Sequence, residues 1–268
     1  MRFDIFSDAH LEFFHRYTDE AFQAYWKAVL ADQTADVLLL AGDTSPDIGR
    51  PSARTAWFFR EAAKRWSRVF CVLGNHDYWG DVVPYTEVKS RAAVLYPEVT
   101  FLENETADLG EAVLFGATWW TKVPEAEQFY IQRYMRDYSH TPSPEGAPVF
   151  SPAVTSRLHE ESRAALQNVL MHTAKPVVVL THHAPSFSSS RWPDARSALG
   201  FCSADDDLML DYANLRLWVH GHVHNPADYN RGAARVLCRP HGYIDYERSR
   251  AERFHPAAVN VVLRTVKQ

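Results

Sequence analysis

The chain has 268 residues, of which 46% are hydrophobic and 23% charged. That balance excludes a disordered, collagen-like or disulfide-framework protein. Lys and Arg number 28 against 33 Asp and Glu, for a formal net charge of −5, so the composition carries no general footprint of a nucleic-acid polymer binder. The unusual count is 13 histidines, a residue type that both binds metals and moves protons near neutral pH.

Taken in chain order, residues 2–6 form a short apolar run that predicts a first strand. Residues 19–30 carry Phe22, Tyr25, Trp26, Val29 and Leu30 at helical spacing. A strand is expected over 37–41, a helix over 55–66 and strands over 69–73 and 112–115. Residues 121–152, with Pro124, Pro142, Pro144 and Pro148, read as an irregular loop of the length expected for a lid. A helix follows over 156–171, a strand over 177–180, a Ser-rich loop over 184–204 and a strand over 217–219. Residues 234–238 and 259–266 resemble closing strands. Unbroken apolar strands alternating with helices predict a layered α/β fold, read as one domain over 1–268 with loop insertions near 121–152 and 184–204.

Cys71, Cys202 and Cys238 are odd in number and widely spaced, which supports neither a disulfide framework nor a cysteine zinc site. Asp4 falls where a signal peptide needs its apolar core, and no apolar stretch is long enough for a membrane span. The expectation is a soluble cytoplasmic protein.

Each expected strand runs into polar residues of one chemical kind. The ends are Asp8-Ala9-His10, Gly42-Asp43, Gly74-Asn75-His76-Asp77, Thr181-His182-His183 and His220-Gly221-His222-Val223-His224. In an open α/β sheet the ligand crevice lies beyond the carboxyl ends of the strands. Seven oxygen and imidazole donors therefore converge there: Asp8, His10, Asp43, Asn75, His182, His222 and His224. One tetrahedral site takes about four ligands, so seven suit two ions that share a carboxylate. The absence of thiolates favours Mn, Fe, Zn or Co.

These five motifs, in this order, resemble the calcineurin-like metallophosphoesterases. The tracts Gly116-Ala117-Thr118-Trp119-Trp120-Thr121 and Met135-Arg136-Asp137-Tyr138 look like a bacterial branch of that family. The resemblance implies a two-sheet sandwich flanked by helices in four layers, with a dinuclear centre at the sheet edges. Asp8, His10 and His224 would hold one ion, Asn75, His182 and His222 the other, and Asp43 would bridge them. The tract Arg239-Pro240-His241-Gly242-Tyr243 departs from the related Asn-Pro-x-Gly-Tyr, so no role is read from it.

The chemistry expected is attack on phosphorus by a hydroxide shared between two divalent ions. His76, not needed as a ligand, would protonate the leaving oxygen, with Asp77 orienting its ring. His183, Tyr78 and Trp79 are candidates for substrate contact. The aromatics between Trp119 and Tyr138 divide between core and pocket wall, and Arg133 and Arg136 between phosphate contact and surface charge. The function expected is hydrolysis of a small phosphodiester. A phosphomonoesterase or protein phosphatase would use the same centre, and a non-catalytic binding module is the alternative of another class. The partner expected is a small phosphoester, with no nucleic-acid polymer and no membrane. A dimer is left open.

Overall fold

The computed structural model describes residues 1–244, apart from 32–33, 47, 81, 145–146, 148, 191–194 and 204–205, together with the strand pairing of 258–259. The remainder of the expected strand over 259–266 lies outside the described residues.

Strands made of unbroken apolar runs must be covered on both faces, and here two sheets and two layers of helices do so. In the first sheet β1 (Phe3–Phe6), β2 (Val37–Ala41), β3 (Arg68–Val72) and the short β4 (Thr100–Phe101) run parallel. The second sheet pairs β5 (Glu105–Asp108) antiparallel with β6 (Val113–Ala117). It continues in parallel through β7 (Val177–Thr181), β8 (Leu215–His220) and, beyond β9 (Ala227–Arg231), β10 (Ala234–Cys238). With β11 (Ala258–Val259) antiparallel to β1, the orders are β11-β1-β2-β3-β4 and β5-β6-β7-β8-β10-β9.

The two-residue period of a strand divides the side chains between two cores. Ile5, Leu39 and Val72 face Leu114, Leu180 and Val219 between the sheets. Their neighbours Phe6, Leu38, Leu40 and Cys71 turn outward against α1 (Asp19–Val29) and α2 (Ala53–Ala63). Thr18 caps α1 by accepting from the Ala21 amide, and Phe22, Trp26 and Val29 form its buried stripe. Burying a side chain such as Phe22 or Phe58 contributes roughly 1.5–3 kcal/mol. On the same side lies α3 (Val88–Leu95).

The segment expected to be irregular instead contains α4 (Glu125–Tyr134) and α5 (Asp137–His140). In α4 only Ile131 is buried, so it has almost no apolar stripe to announce it. α6 (Pro152–His172) covers the outer face of the second sheet, where Leu166 and Leu170 meet Val179, Trp218 and Val236. The short α7 (Ala195–Ala198) lies in the second insertion. The result is the four-layer order helix, sheet, sheet, helix. No helix among the described residues is long and apolar enough to cross a membrane.

Candidate active site

The carboxyl ends of β1, β2 and β3 in one sheet and of β7 and β8 in the other open onto one crevice, and backbone bonds knit the exits together. The Asp8 amide donates to Gly42 O, the His10 amide to Asp43 O and the Gly221 amide to His182 O. Seven non-glycine residues among those described have a left-handed φ, and five of them are Asp8, His10, Asp43, His222 and His224. L-residues rarely occupy that region, and such strain gathers at functional sites. Gly74 is a steric necessity. A Cβ there would overlap Asp43 and approach His182 Cε1 to 2.7 Å.

The crevice brings together all seven donors read from the strand ends. Asp8, His10, Asp43 and His224 each place a ligand atom in one group, and Asp43, His182 and His222 in another, the atoms of each group lying within 4.8 Å of one another. Asp43 belongs to both. Its Oδ2 is 3.5 Å from His10 Nε2 and its Oδ1 is 3.4 Å from His182 Nε2. Asn75 Oδ1 lies 2.8 Å from His182 Nε2, and His224 Nε2 lies 3.0 Å from His10 Nε2.

Three of the histidines are oriented by a partner at the ring nitrogen that faces away from the cluster. His182 Nδ1 donates to Ala41 O at 2.8 Å, His10 Nδ1 to Glu12 Oε1 at 2.9 Å and His222 Nε2 to Gly200 O at 3.2 Å. Such outer bonds fix the tautomer and aim the remaining lone pair. Burial pushes His10 and His222 down to about 4 and His182 well below the usual histidine range, so these rings are neutral bases at pH 7. Asp43 is pushed up by burial and by the charges of Asp77 and Asp8. Crowded carboxylates and neutral imidazoles in a buried pocket are the donor set of a divalent cation. The residues present fit a metal centre.

His76 lies at the edge of the cluster. Its ring stacks on Trp79 with centroids 3.7 Å apart and meets His10 edge-on at 4.6 Å. The structure corrects its expected link to Asp77. The Asp77 carboxylate is wholly buried and accepts from the backbone amides of Thr44, Ser45 and Gly74 at 2.8–2.9 Å. It fastens the strand-end turns to one another. The carboxylate beside His76 is Glu12, whose Oε1 lies 3.3 Å from His76 Nδ1.

Two of the three candidates for substrate contact are core residues. Tyr78 stacks on Tyr85 and places its hydroxyl 3.1 Å from Thr118 Oγ1, and His183 is 2% exposed with Nδ1 3.2 Å from Thr118 O. His183 directly follows His182 and Tyr78 lies three residues past Asn75, but residues close together in a turn need not face the same way. Trp79 does line the cavity.

That cavity, about 840 Å³, opens over the cluster. Its walls include Asp43, Asn75, His76, His222 and His224, with Phe13, Trp79, Tyr134, Phe201 and Tyr243 as aromatic surface. Arg136 is the only Lys or Arg among the described lining residues, and its guanidinium lies 5.5 Å over the Trp79 ring. Trp119 and Trp120 are buried in the core, whereas Tyr134 reaches the wall. Tyr243 touches His10 and His224, with ring centroids 4.6 and 4.5 Å away, so the tract after Arg239 reaches the site although no role was read from it. Glu12, Asp137 and Phe201 were also missed. Glu12, two residues beyond His10, carried a positional hint, and Asp137 lay in a tract of the family resemblance with no role attached to it.

The family model for the calcineurin-like phosphoesterases matches residues 1–226. An uncharacterized protein of Acanthamoeba polyphaga mimivirus is 24% identical over 94% of this chain and 93% of its own length. Among solved structures, the phosphopantetheinyl hydrolase from Mycobacterium tuberculosis superposes with a TM-score of 0.68 at 19% identity, covering 93% of this chain and 92% of that one. With a match over most of its length and a buried Asp/His cluster at its strand ends, this chain belongs to the calcineurin-like phosphoesterase family and is a metal-dependent hydrolase of phosphoric esters.

Proposed function

We propose that the chain hydrolyses small phosphodiesters at a dinuclear centre. Asp8, His10 and His224 hold one ion, Asn75, His182 and His222 the other, and Asp43 bridges them. The observation that carries the diester preference is the cavity, with aromatic walls on several sides and a single arginine among its described lining residues. A diester brings two organic groups and one negative charge, which suits apolar walls better than a monoester dianion does. Its volume falls in the range of small-molecule sites, about 300–1,000 Å³.

When bound, two divalent ions of Mn, Fe or Zn supply Lewis acidity toward a phosphoryl oxygen and an attacking water. The chain's own residues do the rest. Trp79 and the aromatic wall orient the ester, and Arg136 offers a guanidinium to its anionic part. As water adds to phosphorus and gives up a proton to solvent, the bond to the leaving oxygen breaks and His76 delivers its own proton to that oxygen. Glu12 at Nδ1 and the Trp79 ring hold the imidazole in place, leaving Nε2 for the substrate. The setting proposed is the cytoplasm.

The test loads metal-depleted protein with Mn, Zn or Fe and compares a bis-aryl phosphate with the matching aryl phosphate. A kcat/KM ratio above one in favour of the diester is expected, and a ratio far below one overturns the preference. His76→Gln should leave metal content intact and slow esters with poor leaving groups by about 10²–10⁴-fold, with a smaller loss for good ones. Equal loss for both would sink the acid role.

A further inference from the structure

The tract Met135-Arg136-Asp137-Tyr138 belongs to the family resemblance, yet Asp137 has no part in the reaction described above. It opens α5 and is 4% exposed. Its Oδ1 accepts from Asn75 Nδ2 at 2.6 Å and from Trp79 Nε1 at 2.9 Å. An Asn side chain can turn either its oxygen or its nitrogen toward a neighbour, and only the oxygen can ligate a cation. A carboxylate accepts and has nothing to offer the amide oxygen. The Asn75 NH2 must therefore face Asp137, and Oδ1 is left facing His182 Nε2 at 2.8 Å and the cluster. The bond from the Trp79 indole gives the carboxylate a second fixed donor, so Asp137 is itself held in orientation.

The geometry points to Asp137 as a positioning residue that sets the Asn75 amide so that its oxygen serves the second ion. This rests on the reading of Asn75 as a ligand. The device spans two parts of the chain, since Asn75 follows β3 and Asp137 lies 62 residues on, in the first insertion. Docking of that insertion and the strength of the second metal site are thus one event.

The test is titration of metal-depleted protein with Mn²⁺, read as the affinities of successive ions by calorimetry, with melting curves as a check on folding. Wild type is expected to bind two ions. Asp137→Ala should keep the first ion's affinity and weaken the second by about 10–100-fold, the usual effect of losing an outer-shell partner. Asn75→Ala should do the same, and the double variant should be no worse than Asn75→Ala alone, because both changes remove one interaction. Unchanged affinity for the second ion in Asp137→Ala overturns the proposal, as does an additive loss in the double variant, which would mark a merely structural role. Should Asp137→Ala fail to fold, the near-isosteric Asp137→Asn gives the same comparison: it should weaken the second ion several-fold with Asn75 present and have no effect with Ala at that position. A wild-type chain that binds fewer than two ions would instead defeat the dinuclear reading.

Discussion

The two groups of residues proposed to hold the ions are braced by different parts of the molecule. Around Asp8, His10 and His224 the supports are local to the strand ends. His10 leans on Glu12 two residues away, and Asp8 takes the Ser7 hydroxyl and the His222 amide. Around Asn75, His182 and His222 they come from farther off. Asn75 is held by Asp137 in the first insertion and His222 by the Gly200 carbonyl in the second, while His182 uses Ala41 O at the end of β2. One group is therefore braced at the strand ends themselves, and the other also leans on both inserted segments. Local opening of either insertion is then expected to release the second ion before the first.

The largest effect should come from the residue that serves both halves. Asp43→Asn removes the charge that the two groups share and leaves an amide wedged between His10 and His182. Metal content should fall below one ion per chain. Activity should drop by on the order of 10³-fold, since ion stabilisation of the transition state is worth several kcal/mol and each decade of rate is about 1.36 kcal/mol. Atomic absorption and steady-state rates at saturating Mn²⁺ measure both. Two tightly bound ions in this variant would show that the halves are independent.

Next in size is Gly74→Ala. The added methyl has no room against Asp43 and His182 Cε1, and overpacking of a rigid site costs about 1–3 kcal/mol. It strikes the joint between the halves, so a lower melting temperature should accompany weaker binding of both ions. Loss confined to one ion would place the strain outside the shared carboxylate.

Much of this centre was legible because parallel topology does the gathering. Donors that are scattered along the chain, such as Asp8 and His224, each follow a strand, and the carboxyl ends of parallel strands meet. The braces were not legible for the same reason. Asp137 lies in a tract that carries the family resemblance, but its bond to Asn75 spans 62 residues, and nothing in the tract itself says which distant side chain the carboxylate meets. Asp77 was the opposite case: adjacency to His76 suggested a partner, but three backbone amides claim it. In the fold, the buried strands announced themselves by apolar runs, whereas β5, a polar edge of sequence ETAD, and α4, with one buried side chain, carried no such signal.

The smallest predicted effect tests the local half by itself. Glu12 Oε1 lies 2.9 Å from His10 Nδ1 and 3.3 Å from His76 Nδ1, so one carboxylate aims a ligand and steadies the residue proposed as the acid. Glu12→Gln keeps an oxygen in place and removes the charge. The first ion should weaken by about tenfold, at the low end of outer-shell losses, and the second should be unaffected because none of its supports runs through Glu12. Rates with poor leaving groups should fall more than rates with good ones, as they would for any loosening of His76. Mn²⁺ titration and a leaving-group series read these two consequences separately. If Glu12→Gln weakened the second ion as much as the first, the centre would respond as one unit, and the division between a half made by the sheets and a half completed by the insertions would be wrong.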